Sequence, residues 1–191
     1  MFLDLVKQAR SHRGFRQDRK VTRQELEHLV ECATPAARND QVLKYYLAEK
    51  PETVAAIQPL TKWAGALAEL HLPRKGAEPV AYIVICLDGS LAENPAPYQR
   101  DVGIVAQTML LAAAEMGLNG CMIGSFAAGE LREKLGLPEA IKPQLLLALG
   151  EGTDRIVMTD VGEDGSTTYY RDAEDTHYVP KRTLEQLILN P

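Results

Sequence analysis

Two clusters of basic residues carry the first chemical signal. Arg10-Ser11-His12-Arg13 places two guanidinium forks and a hydroxyl within four positions, a set that can clamp a phosphate. Pro180-Lys181-Arg182 lies near the C-terminus, where the pattern predicts the start of a last helix. Two cations at a helix N-terminus oppose the macrodipole, and a bound anion would resolve that conflict. The pair reads equally as solvated side chains at a frayed turn. A third signal is glycine. Gly117-Leu118-Asn119-Gly120-Cys121-Met122-Ile123-Gly124 holds three glycines in eight residues, so a flat ligand can approach its backbone closely. A helix cap followed by a turn explains two of the three.

The common catalytic signatures are absent. There is no GxGxxG, GxxxxGK[ST], HExxH or GxSxG. His12, His28, His71 and His177 share no ligand spacing, and Cys32, Cys86 and Cys121 form no CxxC. No metal site and no disulfide is expected. The cysteines read as small buried apolar residues, the histidines as surface or internally satisfied ones.

These residues need elements to position them. Phe2–Ala9 has helical spacing. Thr22-Arg23-Gln24-Glu25 is a capping box, opening a helix with Leu26, Leu29, Val30 and Ala33 on its apolar face. Thr34-Pro35 stops it, and Ala36–Gln41 is a loop. Val42–Ala48 reads as a strand, Glu52–Ile57 as a short helix behind Pro51, and Leu60–Leu70 as an Ala-rich helix. Pro79–Leu87 (PVAYIVICL) is a continuous β-branched run, a strand buried on both faces. The longest helix is predicted over Pro97–Gly117, apolar on most sides through Ile104, Ala106, Met109, Leu110, Ala113 and Ala114. Cys121–Ile123 and Gln144–Leu149 are further strands, with a small helix Gly129–Leu135 between them. Arg155–Val161 and Thr167–Arg171 alternate around Gly162-Glu163-Asp164-Gly165, which predicts an exposed hairpin. Pro180–Leu189 is predicted as a terminal amphipathic helix.

At 191 residues, with 46% apolar and 25% charged residues, the chain suits one folded domain spanning 1–191. It has no spanning apolar run and no signal-peptide pattern at its start, so a soluble cytoplasmic protein is expected. The net charge of −5 is uneven. Arg10–Arg23 carries six basic residues and one acid, net +5, leaving −10 for the rest. A basic island in an acidic chain suits a local anion, or is a solvated loop. Nucleic acid and membrane are not expected as partners.

The order of these pieces resembles the nitroreductase family, FMN-dependent oxidoreductases that use NADH or NADPH. Arg10-Ser11-His12-Arg13-Gly14-Phe15 looks like the family's opening R-R-S-x-R-x-F. Pro35-Ala36-Ala37-Arg38-Asn39-Asp40-Gln41 looks like its P-S-x-x-N-x-Q. The stretch Gly117–Gly124 looks like its glycine loop, and Leu149-Gly150 followed by Lys181-Arg182 looks like its closing glycine and basic phosphate contact. Departures are Ala9 for the first arginine, Ala36 for the serine, and Glu151-Gly152 with a hairpin for the usual Pro-rich run.

The resemblance implies an α/β (α+β) fold: a central mixed sheet flanked by helices, in an intertwined homodimer. It implies FMN contacts at Arg10, Ser11, His12, Arg13, Met122, Ile123, Gly124, Lys181 and Arg182 from one subunit. Pro35, Ala36, Ala37, Asn39 and Gln41 would approach from the other. Val6, Leu110, Leu187 and Ile188 suggest more apolar surface than one small domain covers. The implied chemistry is hydride transfer from NADH or NADPH to FMN, then to a small oxidised acceptor such as a nitroaromatic or quinone. That chemistry places little burden on side chains, and no catalytic residue is singled out. The alternative is a non-catalytic flavin-binding or regulatory protein of the same fold.

Overall fold

Strand β2 (Ala81–Asp88) sets the architecture. Its residues face alternate sides, and both sides are apolar. Ile83, Ile85 and Leu87 enter one core cluster, while Tyr82, Val84 and Cys86 enter another. A strand of this kind belongs between two layers of helices. The computed structural model, described here for residues 1–190, places it so.

Around β2 lie β1 (Leu43–Ala48), β3 (Asn119–Ile123) and β4 (Ile141–Gly150), in the order β1-β2-β4-β3. One face is covered by α2 (Arg23–Ala33) and α4 (Gln99–Glu115), through Leu26, Leu29, Val105, Ala106 and Met109. The other is covered by α3 (Pro51–Ile57) and α5 (Ala128–Lys134), through Val54, Ile57 and Leu131, joined by Phe15. Helix α1 (Phe2–Gln8) packs beside α4. A second sheet holds β5 (Ile156–Asp160), β6 (Tyr170–Arg171) and β7 (His177–Lys181), in the order β5-β7-β6. Helix α6 (Leu184–Leu187) ends the chain. No helix among the described residues is long and apolar enough to cross a membrane.

Several expectations hold to the residue. Thr22 caps α2, and Glu25 returns the bond to the Thr22 amide at 2.8 Å. Gly117 follows α4 with φ +74°, a conformation that L side chains resist. Cys86 and Cys121 are buried, Cys32 is half-buried, and all three are free thiols.

Others need correction. The fold class stands, but every pairing in the four-stranded sheet is antiparallel. Parallel pairing is confined to β5–β7 and to an isolated bridge between Ser11 and Gly120. Leu60–Leu70 is not one helix. Short 3-10 turns cover Gln58–Leu60 and Gly65–Leu70, with Ala64 left-handed before the second. The backbone between them leaves the helical path because Lys62 donates to the Ser125 carbonyl at 2.9 Å and Thr61 bridges Phe126. Ile104 faces outward, 50% exposed. The predicted hairpin does not close. β7 inserts between its two arms, and Tyr170 stacks on Tyr178 at 5.1 Å.

The last helix is also shorter than predicted. Pro180 and Lys181 belong to β7, and Thr183 caps a four-residue helix through Gln186. Pro180 lies past the end of the short β6, where its missing N–H costs the sheet nothing. Lys181 and Arg182 therefore do not stand at a helix N-terminus, and the dipole argument for them falls.

The capping box generates a stability prediction. Thr22→Ala removes a cap worth about 1 kcal/mol, and thermal melting should shift down by about 2–4 °C.

Candidate functional site

The stretch after α1 is extended because it pairs with its neighbours on both sides. His12 N–H donates to the Gly120 carbonyl at 3.0 Å, beside the Ser11–Gly120 bridge, so the stretch lies along the free edge of β3. Thr153 N–H donates to the Gly14 carbonyl at 3.0 Å, and Phe15 bridges Gly152. Phe15 is then anchored in the core at 1% exposure.

Asp154 joins this stretch to the second sheet. Its Oδ2 accepts the backbone N–H groups of Arg13 and, at 3.1 Å, Gly14. Its Oδ1 accepts Nη2 of Arg171 at 2.8 Å. Arg171 also donates to Asp175 at 3.0 Å, and Asp175 accepts both terminal nitrogens of Arg74 at 2.8 and 3.0 Å. The Asp154 and Arg171 side chains are 6% and 4% exposed. A carboxylate this deep must have its lone pairs engaged, and here backbone and guanidinium engage them.

A cavity of about 210 Å³ opens between the two parts. Arg10, Ser11 and Arg13 line it from the N-terminal stretch. Ile156, Tyr169, His177 and Val179 line it from the second sheet and the segment before β6. Arg13 Nη1 donates to the Ser11 carbonyl at 3.3 Å and contacts His177 Nε2 at 3.2 Å. Its guanidinium carbon lies 5.1 Å from the centre of the Tyr169 ring. Burial, reinforced by Arg13 and Arg171 against the opposing Asp154 and Asp175, pushes His177 down to about 4. It is neutral at physiological pH.

The basic island thus divides in two. Arg16 pairs with Asp18 and Glu151, Arg19 with Glu25, and Arg23 with Glu27 and Glu49. Among the described residues, Arg10 and Arg13 pair with no carboxylate, and the Nε of each is buried without a hydrogen-bond partner. Buried donors without acceptors are costly. A phosphate group would fit these donors, since an anion with several lone pairs is what they lack.

The remaining expected residues fall in three places. His12 lines a separate cavity of about 420 Å³ with Lys7, Arg10, Asn119 and Asp154. Its ring lies so close to Gly152 that a Cβ there would sit 2.2 Å from Nδ1. Burial lowers its pKa, Asp154 opposing and Arg13 and Arg171 adding to the fall. Ile123 turns into the core, Met122 is half-buried, and Gly124 is exposed just past β3. Lys181 and Arg182 are exposed and do not line the 210 Å³ cavity.

Pro35–Gln41 lies elsewhere again. Ala37 and Gln41 line a cavity of about 160 Å³ with Lys44 and Tyr45 of β1. The buried Asp101 of α4 holds this loop by accepting Arg38 N–H at 3.1 Å. β1 and β3 are opposite edges of the sheet. Three inter-strand spacings, roughly 14 Å, separate them. Within one chain the structure does not bring the two halves of the expected site together. Another cavity, about 510 Å³, lies between Pro51, Val54, Pro59 and Pro79. It has no buried unpartnered donor on its wall and is not the anion site.

Sequence reasoning missed Asp154, Tyr169 and His177. They lie beyond the motifs, and a pocket wall built from paired strands leaves no local spacing to find.

The nitroreductase family pattern matches residues 6–151. The chain is 25% identical over 154 residues to a protein of Methanothermobacter thermautotrophicus described as "Putative NADH dehydrogenase/NAD(P)H nitroreductase", covering 78% of this chain and 75% of that protein. Among solved structures it resembles a nitroreductase family protein from Streptococcus pneumoniae. That match has a TM-score of 0.65 and 20% identity, covering 81% of this chain and 92% of the other. It also resembles "a putative nitroreductase in complex with FMN" from Exiguobacterium sibiricum, with a TM-score of 0.65 and 19% identity, covering 81% and 89%.

Removing Asp154 tests the buried junction. Asp154→Ala strands the Arg171 guanidinium with Asp175 alone and frees two backbone donors. Denaturant unfolding should show a loss of about 3 kcal/mol. Adding Arg171→Met to that variant should recover part of the loss, and a strictly additive double-mutant cycle would contradict the coupling.

Proposed function

We propose that this chain, which belongs to the nitroreductase family, is an FMN-dependent oxidoreductase that uses NADH or NADPH to reduce a small oxidised acceptor such as a nitroaromatic or quinone. The observation that carries the reading is the pair of half-buried arginines, Arg10 and Arg13, lining one small cavity with buried, unpartnered Nε groups. When bound, FMN supplies the hydride chemistry itself. The chain's own residues bind and orient. Arg10 and Arg13 neutralise the phosphate, the Ser11 hydroxyl offers a further donor, and the backbone at Met122–Gly124 lines the approach to the ring. No acid–base pair is required of the protein for that chemistry. On this reading the protein works in the cytoplasm, where reduced nicotinamides are made.

A homodimer belongs to the same reading. Pro35, Ala36, Ala37, Asn39 and Gln41 sit beside the β1 edge, so they reach a flavin at the β3 edge only from a second copy. Apolar side chains support this. Phe2 and Leu3 on α1, and Leu184, Leu187 and Ile188 near the C-terminus, are exposed in the single chain. Leu110, counted among such surface residues from its sequence, is instead buried within the chain.

Two outcomes are expected. Heat release from the purified protein should yield FMN, and NADH or NADPH should bleach its absorbance in stopped flow. Recovery of FAD, or a bound flavin that neither nicotinamide reduces, would overturn the reading and favour the non-catalytic alternative. Arg13→Ala should weaken FMN binding at least tenfold, because a charge-assisted bond is worth about 1.5–3 kcal/mol, while riboflavin binding stays unchanged. Light scattering at micromolar concentration should show a dimer, and a flavin-loaded monomer would contradict the shared site.

A further inference from the structure

His177 lies outside the family match, which ends at residue 151. It is nonetheless 98% buried, on the wall of the cavity that Arg10, Ser11 and Arg13 line. Arg13 Nη1 can only donate, so His177 Nε2 accepts at 3.2 Å and the ring proton resides on Nδ1. That Nδ1 is buried and has no partner. Three unpartnered donors therefore belong to side chains around one cavity: Arg10 Nε, Arg13 Nε and His177 Nδ1. The ring is held in place on three sides. Arg13 binds Nε2, Tyr169 packs against it at 5.3 Å, and its backbone N–H donates to the Arg155 carbonyl at 2.8 Å. At about 210 Å³ the cavity falls below the roughly 300–1,000 Å³ of whole-ligand pockets. It suits an end group, and a phosphomonoester has enough oxygens to accept from all three residues.

We propose that His177 is the third arm of the phosphate pocket, donating from Nδ1 to the phosphate that Arg10 and Arg13 neutralise. The proposal rests on the FMN reading for the identity of the phosphate's owner. It explains how the chain holds a phosphate although Ala9 replaces the family's first arginine and Lys181-Arg182 stands away from the cavity. The neutral ring is also the suitable form. The charged groups that face it are Arg13, Arg171, Asp154 and Asp175, and between them a neutral donor adds a hydrogen bond without adding another cation.

The test titrates the apoprotein with FMN and with riboflavin, which lacks the phosphate. His177→Leu should weaken FMN about three- to tenfold and leave riboflavin unchanged, and His177→Asn, which keeps an N–H donor, should recover part of the loss. Unchanged FMN affinity, or equal weakening of both flavins, would overturn the proposal, since a packing role moves both together. His177→Phe keeps a ring against Tyr169 and gives the same comparison if the leucine variant does not fold. Inorganic phosphate separates this idea from the flavin reading. Phosphate should raise the melting temperature of the wild-type apoprotein more than that of the variant. That result in a protein that binds no flavin retains the pocket and removes FMN. An equal rise in both, or none in the wild type, overturns the pocket role of His177.

Discussion

One buried carboxylate ties the two halves of this molecule together. Asp154 accepts two backbone N–H groups from the Arg13–Gly14 stretch and one guanidinium N–H from Arg171. Everything at the small cavity depends on that junction. The N-terminal stretch has no helix or full strand to stiffen it, and is held by isolated bridges to Gly120 and Gly152 and by single backbone hydrogen bonds such as Thr153 N–H to the Gly14 carbonyl. Without a fixed backbone at Arg13, the guanidinium would have no defined place beneath Tyr169 and His177. Without Arg171 latched to Asp154, the second sheet would have little reason to stay against the first. A buried ion pair is weak evidence for net stability, but here it fixes geometry, because its acceptor also holds backbone amides.

The four-stranded sheet imposes a second constraint. Its two edges are the places where chain remains available for a ligand, and the chain puts different motifs at each. The arginine stretch lies on the β3 edge, and the Pro35–Gln41 loop lies beside β1. Strand β2, apolar on both faces, and β4 fill the space between them. No rearrangement short of unfolding brings the edges together. On the proposed reading, a site built from both motifs draws them from two chains.

How much of this was legible in the sequence depended on the range of each signal. The capping box at Thr22, the apolar run Pro79–Leu87 and the glycine after α4 are local, and each was readable from a few neighbouring residues. The C-terminal region was not. β7 contains Pro180 and carries His177, Tyr178 and Val179, which do not alternate in polarity. Its pairing with β5 across some twenty residues of chain leaves no periodic trace. The same holds for the site. Arg10, Ser11 and Arg13 were visible as a motif, because the residues that cooperate are adjacent. Asp154, Tyr169 and His177 were not, because what makes them functional is burial against partners far along the chain. Lys181 and Arg182 erred in the other direction. Their charges were real, but the helix that gave those charges meaning starts three residues later than Lys181, at Leu184.

The distribution of charge carries the last step. Six basic residues in fourteen would repel one another unless counter-charges or solvent intervened. The structure treats them unequally. Arg16, Arg19 and Arg23 face outward and meet carboxylates from their own surroundings. Such exposed pairs contribute little, and their role is to keep the surface quiet. Arg10 and Arg13 are half-buried with their Nε atoms unpartnered, and neither forms an ion pair among the described residues. Asp154 is near enough to have neutralised Arg13 directly, yet it spends its oxygens on backbone amides and on Arg171. A fold stabilised for itself would place a carboxylate in that cavity. Holding two cations without one costs stability, and on the proposed reading that cost is recovered when a phosphate enters.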